Sequence, residues 1–224
     1  MLFPTKVGAI EFDSETGDVR IAVVKVGRGL PQIIELQESR AVYDSPDARF
    51  DALVAAVDEA VSRLAARPAA FVLCAPTRSS VVRTITIPFR GRRKVAAAVP
   101  FELEPALAFN IDELLVDFTI VSEGGGKTEV LAVGSRRELL DEQMAVLAAA
   151  GVETDAVGLD AAGLTALWLA GRKGTKGLNA VLHARDYGSI LAITQNRTLA
   201  YFRHLSCTGS DIRESPTAMV REVQ

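Results

Sequence analysis

The sequence is short of the residues that advertise chemistry. Its 224 residues include two cysteines and two histidines. Cys74 lies in the apolar run FVLCA and Cys207 in a polar stretch, with no CxxC and no dense spacing. This excludes a disulfide framework and gives no zinc-ligand pattern. A reducing, cytoplasmic compartment fits that cysteine usage. His183 and His204 stand in no metal-ligand spacing, and no G-x-S-x-G occurs. Neither a metal site nor a serine nucleophile is indicated.

Strong charge is missing as well. The formal net charge is −3, which gives no electrostatic reason to expect a nucleic-acid partner. No apolar run approaches the roughly 20 residues of a membrane helix. The opening MLFPTKVGAIEF has no apolar signal core. Direct membrane insertion by this segment is therefore not expected. Self-similarity with a period of about 20–50 residues, the mark of a repeat protein, is also absent.

What is present is a globular composition, 49% apolar and 24% charged. Two apolar, β-branched runs, VGAIEF and DVRIAVVKVG, flank the turn cluster DSETG and read as a hairpin. QIIELQESRAVY supplies a third strand. Ser45-Pro46-Asp47 opens a helix, and Phe50, Leu53, Val54, Val57, Val61 and Leu64 form its apolar stripe. AFVLCAP reads as a buried strand and VVRTITIP as a half-solvated one.

Gly91 to Leu107 reads as a helix that kinks or ends at Pro100 or Pro105. DELLVDFTIV and EVLAVG form strands around SEGGGKT. Ser135 and Glu138 have the spacing of a capping box before a helix that ends at Gly151. VETDAVGLD is a strand and AAGLTALWLAG a helix. LNAVLHA, SILAIT and TLAYFR are further strands, and the tail after Ser210 is weakly helical. The order of elements is mixed α/β.

Three clusters invite a chemical reading. EGGGKT suggests a phosphate loop, but the first glycine of that motif would fall on Val121, and a strand follows where a helix is required. A hairpin tip is the better reading. Glu102, Glu104, Asp112, Glu113 and Asp117 are acidic, but Glu102 and Glu104 are two apart and would not share a helical face. They read as solvated acids, with Phe101, Leu103, Leu107, Phe109 and Leu115 packing inward. FRGRRK places Arg90, Arg92, Arg93 and Lys94 at a helix start, where cations gain nothing from the helix dipole. They read either as a solvated end or as a docking patch for an acidic partner.

Taken together, three stretches resemble the PilM and GspL family of actin-like adaptors of type IV pilus and type II secretion machines. They are TITIPFRGRRKVAAAVPFELEPALAFNIDELLVDF, VLAVGSRRELLDEQMAVLAAAGVETDAVGLDAAGLTAL and NAVLHARDYGSILAITQNRTLAYFRHL. The resemblance implies an α/β, actin-like (ribonuclease-H-like) core with an inserted small α+β subdomain. Residues 1–82 plus 151–172 would form the first subdomain and 83–150 the insert. Residues 173–224 would begin a second subdomain, so the chain is expected to be part of a longer one.

The family's active relatives carry two D-x-G turns, whose small residues let backbone amides approach phosphate. Here GAIEFDSETGDV places Glu11, Phe12 and Asp13 at the first turn, and HARDYGS places Arg185, Tyr187 and Gly188 at the second. Both are degenerate. The resemblance then implies no catalysis and no cofactor, with weak ATP binding at most. The first expectation is a GspL-like scaffold linking the secretion ATPase to inner-membrane components. A PilM-like adaptor for the N-terminal peptide of a membrane partner is the alternative, and an actin-like ATPase the rival class. The implied location is the cytoplasmic face of the bacterial inner membrane. The implied partners are the pilus or secretion ATPase and inner-membrane assembly proteins, and a homodimer is compatible with all of this.

Overall fold

The computed structural model describes residues 6–14, 16–27, 30–107, 110–172, 174–186 and 188–223. In chain order come β1 Lys6–Phe12, β2 Asp18–Lys25, β3 Gln32–Arg40, α1 Arg49–Ser62, β4 Ala70–Ala75 and β5 Ser80–Ile87. Next are α2 Arg92–Leu103, β6 Leu114–Gly124, β7 Lys127–Arg136, α3 Arg137–Ala149, β8 Ala156–Leu159 and α4 Asp160–Ala170. The chain closes with β9 Leu178–Arg185, β10 Gly188–Gln195, β11 Thr198–Leu205, α5 Gly209–Glu214 and α6 Thr217–Val223. The chain divides into two compact units, residues 1–76 with 138–163, and residues 77–137 with 164–224.

The first unit is built on a five-stranded sheet ordered β3-β2-β1-β4-β8. β1, β2 and β3 are antiparallel neighbours, while β4 and β8 join in parallel. Strand alternation puts Ile10, Phe12, Val19, Ile21, Phe71 and Leu73 on one face. α1 and α3 cover that face with Leu53, Val57, Val146 and Leu147. The expected stripe of α1 holds at Leu53 and Val57, and Val54, Val61 and Leu64 pack at its margin, but Phe50 is exposed. Ser45 makes no side-chain cap; Pro46–Ala48 form a 3-10 turn that leads into the helix. Arg49 of α1 donates to Glu142 of α3.

The second unit holds two three-stranded sheets, β5-β7-β6 and β11-β10-β9. β6 and β7 meet at a two-residue turn, where Gly125 and Gly126 both have positive φ, 56° and 79°. That is the geometry of a primed hairpin turn, which glycine adopts without strain. EGGGKT is thus a hairpin tip. The β10–β11 turn uses Asn196 and Arg197, with φ of 49° and 69°. Arg197 is held there by donating to the carbonyls of Leu169 and Arg172 and to the Thr175 hydroxyl. Its charge sits at the C-terminal end of α4, where a cation is favoured.

α2 runs through Pro100 instead of ending there, and a 3-10 turn Glu104–Ala106 follows. Val95, Val99 and Leu103, four apart, are all buried under the helix, and this packing outweighs the one backbone bond that proline removes. Two sequence readings of this region are corrected. Phe101 is 75% exposed, because it lies on the face opposite Val99 and Leu103. Leu115 is 40% exposed while Leu114 is 5% exposed; the inward phase of β6 begins one residue earlier than read. Leu107 is half-buried, and Phe109 lies outside the described residues. Glu102 and Glu104 are exposed.

Ser135 is likewise no helix cap. It belongs to β7, and its hydroxyl lies 2.8 Å from that of Ser80 on the neighbouring strand. A true capping box occurs later, at Thr208 and Asp211 of α5.

Leu114 packs where β7 has no side chain. A Cβ on Gly134 would lie 2.6 Å from Leu114 Cδ1 and 3.5 Å from Leu103 Cδ2. The three residues form one close-packed contact beneath α2. Leu114→Ala should cost about 2–5 kcal/mol, whereas Leu115→Ala should cost about 1 kcal/mol or less. Denaturant melts of the two variants measure this directly, and equal costs would contradict the assigned phase.

Candidate functional site

The positions that would cradle phosphate lie at two hairpin turns, one in each unit. In the first unit Glu11 and Phe12 end β1, and Asp13 opens the turn to β2. Glu11 stands opposite Arg20 in the strand register. Phe12 points into the sheet core and is 2% exposed, so its ring is a structural anchor.

The turn itself is closed by its own hydrogen bonds. The amide of Asp13 donates to the Asp18 carbonyl at 3.0 Å, and that of Gly17 to the Asp13 carbonyl at 2.8 Å. The Thr16 amide donates to Asp13 Oδ1, and the Asp18 amide to Thr16 Oγ1. This is the local competition that aspartate and threonine offer in turns. Gly17, at φ 75°, is pressed against the backbone of Ala41, whose amide donates to the Gly17 carbonyl at 2.8 Å. The Tyr43 hydroxyl donates to the Ser14 carbonyl. Asp13 thus serves as a turn former, accepting twice within its own loop.

In the second unit Arg185 ends β9 opposite Gly188, which opens β10. Tyr187 lies outside the described residues. Gly188 has φ 113°, and a Cβ there would lie 2.6 Å from His204 Nε2 and 2.9 Å from the Leu205 carbonyl. Glycine is required at this turn, and the space its missing side chain leaves is filled by β11. The next residue, Ser189, is fully buried and donates to the Cys207 carbonyl at 2.7 Å. In the first turn four amides, those of Asp13, Thr16, Gly17 and Asp18, have acceptors within the loop, and the second is packed from behind by β11.

The basic cluster is placed as the sequence suggested, at the start of α2. Arg90, Arg92, Arg93 and Lys94 are all exposed, and Phe89 beside them is 49% exposed. They do not act as one group. The Arg92 guanidinium lies over the Phe118 ring, 5.1 Å from its centroid, a cation–π contact. Arg93 and Lys94 project from the outer side of the helix.

One cluster went unseen in the sequence. Glu222 of α6 accepts from the amide and hydroxyl of Ser206, both at 2.6 Å, and from the Cys207 amide at 2.8 Å. These bonds, the Ser206 hydroxyl first, hold its carboxyl below the usual range. Burial, with Glu222 nearby, pushes the Cys207 thiol up, which disfavours the thiolate form. Asp211, Glu214 and Ser215 complete a shallow cavity of ≈ 330 Å³. The contact pins α6 to the end of β11. Its only sequence signal was an acid in a short tail, which points to nothing by itself. Among the described residues no group of histidine, cysteine or acidic side chains could hold a metal ion, and no helix is long and apolar enough to cross a membrane.

Comparison with known proteins places this geometry. Solved structures share the fold at low identity. A PilM–PilN type IV pilus biogenesis complex matches at 19% identity, over 97% of this chain and 68% of that chain, with a TM-score of 0.73. The cytoplasmic domain of EpsL, an inner-membrane component of the type II secretion system of Vibrio cholerae, matches at 16% identity. It covers 90% of this chain and 71% of that one, with a TM-score of 0.60. A Bacteroides thetaiotaomicron protein with an actin-like ATPase fold and unknown function matches at 8% identity, over 97% and 76%, with a TM-score of 0.52. A search of curated proteins finds no match. The fold is therefore actin-like, as the resemblance implied. The family model for the type IV pilus assembly protein PilM matches residues 15–215, and with most of its length matched the chain belongs to the PilM family.

Proposed function

We propose that this chain is a non-catalytic adaptor at the cytoplasmic face of the inner membrane, recruiting a membrane assembly protein to a pilus machine. The observation that carries the non-catalytic part is the closed β1–β2 turn. Its amides at Asp13, Thr16, Gly17 and Asp18 are spent inside the loop, and a phosphate cradle needs them free to converge on an anion. Opening the turn would break these bonds. The family match supports the pilus side of the reading. A solved PilM is itself bound to PilN in a type IV pilus biogenesis complex.

The secretion reading, a GspL-like scaffold that holds the secretion ATPase, was the first expectation from sequence. It stands second, supported by the shared fold of the EpsL cytoplasmic domain. Both are scaffolds, and both contrast with an ATPase.

Two measurements separate these readings. Calorimetric titration with Mg-ATP to millimolar concentration should give no binding heat, and a micromolar dissociation constant would contradict the adaptor assignment. Fluorescence anisotropy with the labelled N-terminal peptide of the host's pilus membrane partner should show saturable binding. Binding of the secretion ATPase's N-terminal domain in its place would select the secretion reading.

A further inference from the structure

The start of α2 gathers more charge of one sign than its fold uses. Arg90, Arg92, Arg93 and Lys94 are close in sequence, and all are exposed. Arg92 lies over the Phe118 ring. Among the described residues no acid pairs with Arg90, Arg93 or Lys94. Arg93 and Lys94 stand on the side of the helix opposite the buried Val95, Val99 and Leu103. Beside them Phe89 is 49% exposed. Its backbone is fixed in place, because its carbonyl accepts from the Thr128 hydroxyl at 2.7 Å. An aromatic ring is thus held at the surface next to a run of cations.

The nearby acids do not cancel this surplus. Through Thr128 the β6–β7 hairpin brings Lys127 and Glu123 alongside, one charge of each sign; Glu123 Oε1 is 3.4 Å from the Thr128 hydroxyl. Glu129 follows Thr128 but lies on the other face of the sheet by strand alternation, where it accepts from Ser122. Glu102 and Glu104 lie about 13–15 Å further along α2 than Arg93 and Lys94. The Debye length at physiological salt is about 8 Å, so the two ends of the helix are separate electrostatic regions. The whole chain carries −3, so the rest of the molecule is acidic. A negative surface would therefore draw this end toward itself and turn the remainder away.

We propose that the start of α2 is a docking site for an anionic lipid surface, met by these cations and the Phe89 ring without a membrane-spanning segment. A specific acidic peptide is best read by guanidinium groups locked in place by further hydrogen bonds. Among the described residues Arg90, Arg93 and Lys94 have no such supports. Long, unsupported cations suit a diffuse negative potential, to which each one adds by proximity alone. The exposed ring suits the headgroup boundary, where aromatic side chains lie beside polar groups. Glu102 and Glu104 then keep the far end of α2 off the lipid. This site goes beyond the adaptor reading and needs no partner protein, so either can fail without the other.

Flotation of the intact chain with vesicles tests it. At low salt the chain should float with vesicles in which about a third of the lipid is phosphatidylglycerol, and not with phosphatidylcholine alone. Raising the salt to about 300 mM should release it. Arg93→Ala combined with Lys94→Ala should weaken partitioning at least about tenfold, and Phe89→Ser several-fold. Phe101→Ser should leave it unchanged, because that ring lies at the acidic end of the helix. Circular dichroism and the melting temperature of all these variants should match the parent, since each altered side chain is exposed.

Equal recovery with neutral and anionic vesicles overturns the proposal. So does anionic-vesicle binding that the double alanine variant leaves unchanged. Equal losses for Phe89→Ser and Phe101→Ser would place the contact elsewhere and also overturn it. Two further arms separate other anions. Displacement from the vesicles by glycerol phosphate at matched ionic strength would mean a site for a single phosphate group, not a surface. Saturable binding of a labelled peptide rich in aspartate and glutamate, without vesicle binding, would assign the cations to an acidic protein segment. Either result overturns the lipid assignment.

Discussion

A backbone amide donates once. In the β1–β2 turn that limit matters, because the amides of Asp13, Thr16, Gly17 and Asp18 already have acceptors within the loop. Buried amides must be paired. In an active phosphate loop the anion does the pairing; here the side chains of Asp13 and Thr16 and the carbonyls of Asp13 and Asp18 do it. The hairpin is thereby fixed without a ligand, its first strand is anchored through Phe12, and the rest of the first sheet is aligned on that strand.

The second unit reaches a comparable end by packing. Gly188 is kept because His204 and the Leu205 backbone occupy the space a side chain would take. A glycine at a phosphate-loop position can therefore survive for a reason unrelated to phosphate. The acids around α2 follow the same logic. Glu102 and Glu104 are solvated, while the segment is held by Leu103 and Leu114 against Gly134.

Much of the fold was legible in sequence because periodicity reports burial. The strands of the first hairpin, the α1 stripe at Leu53 and Val57, and the hairpin tip at Gly125 and Gly126 all followed from local patterns. The misreadings came where local signals are degenerate. In LLV either leucine could begin the inward phase, and what settles it is the hollow over Gly134 in another strand. Ser135 carried the spacing of a helix cap but lies in β7, because its partner Ser80 is 55 residues away. Phe101 is apolar and looked buried; Pro100 gave no clue that α2 would continue and turn it outward. For the candidate site, the expectation of degenerate turns rested on the identities of Glu11, Phe12 and Arg185 alone. The destination of each amide could not be read, since hydrogen-bond partners depend on a turn geometry that no residue pattern encodes.

The most direct test of this account is amide-resolved NMR of the chain with and without Mg-ATP. The amides of Asp13, Gly17 and Asp18 should be protected from hydrogen exchange in the absence of nucleotide, and their resonances should not move on titration to millimolar Mg-ATP. Rapid exchange of those amides in the free chain, followed by protection and large shifts when nucleotide is added, would contradict the central claim that the turn is closed by its own residues.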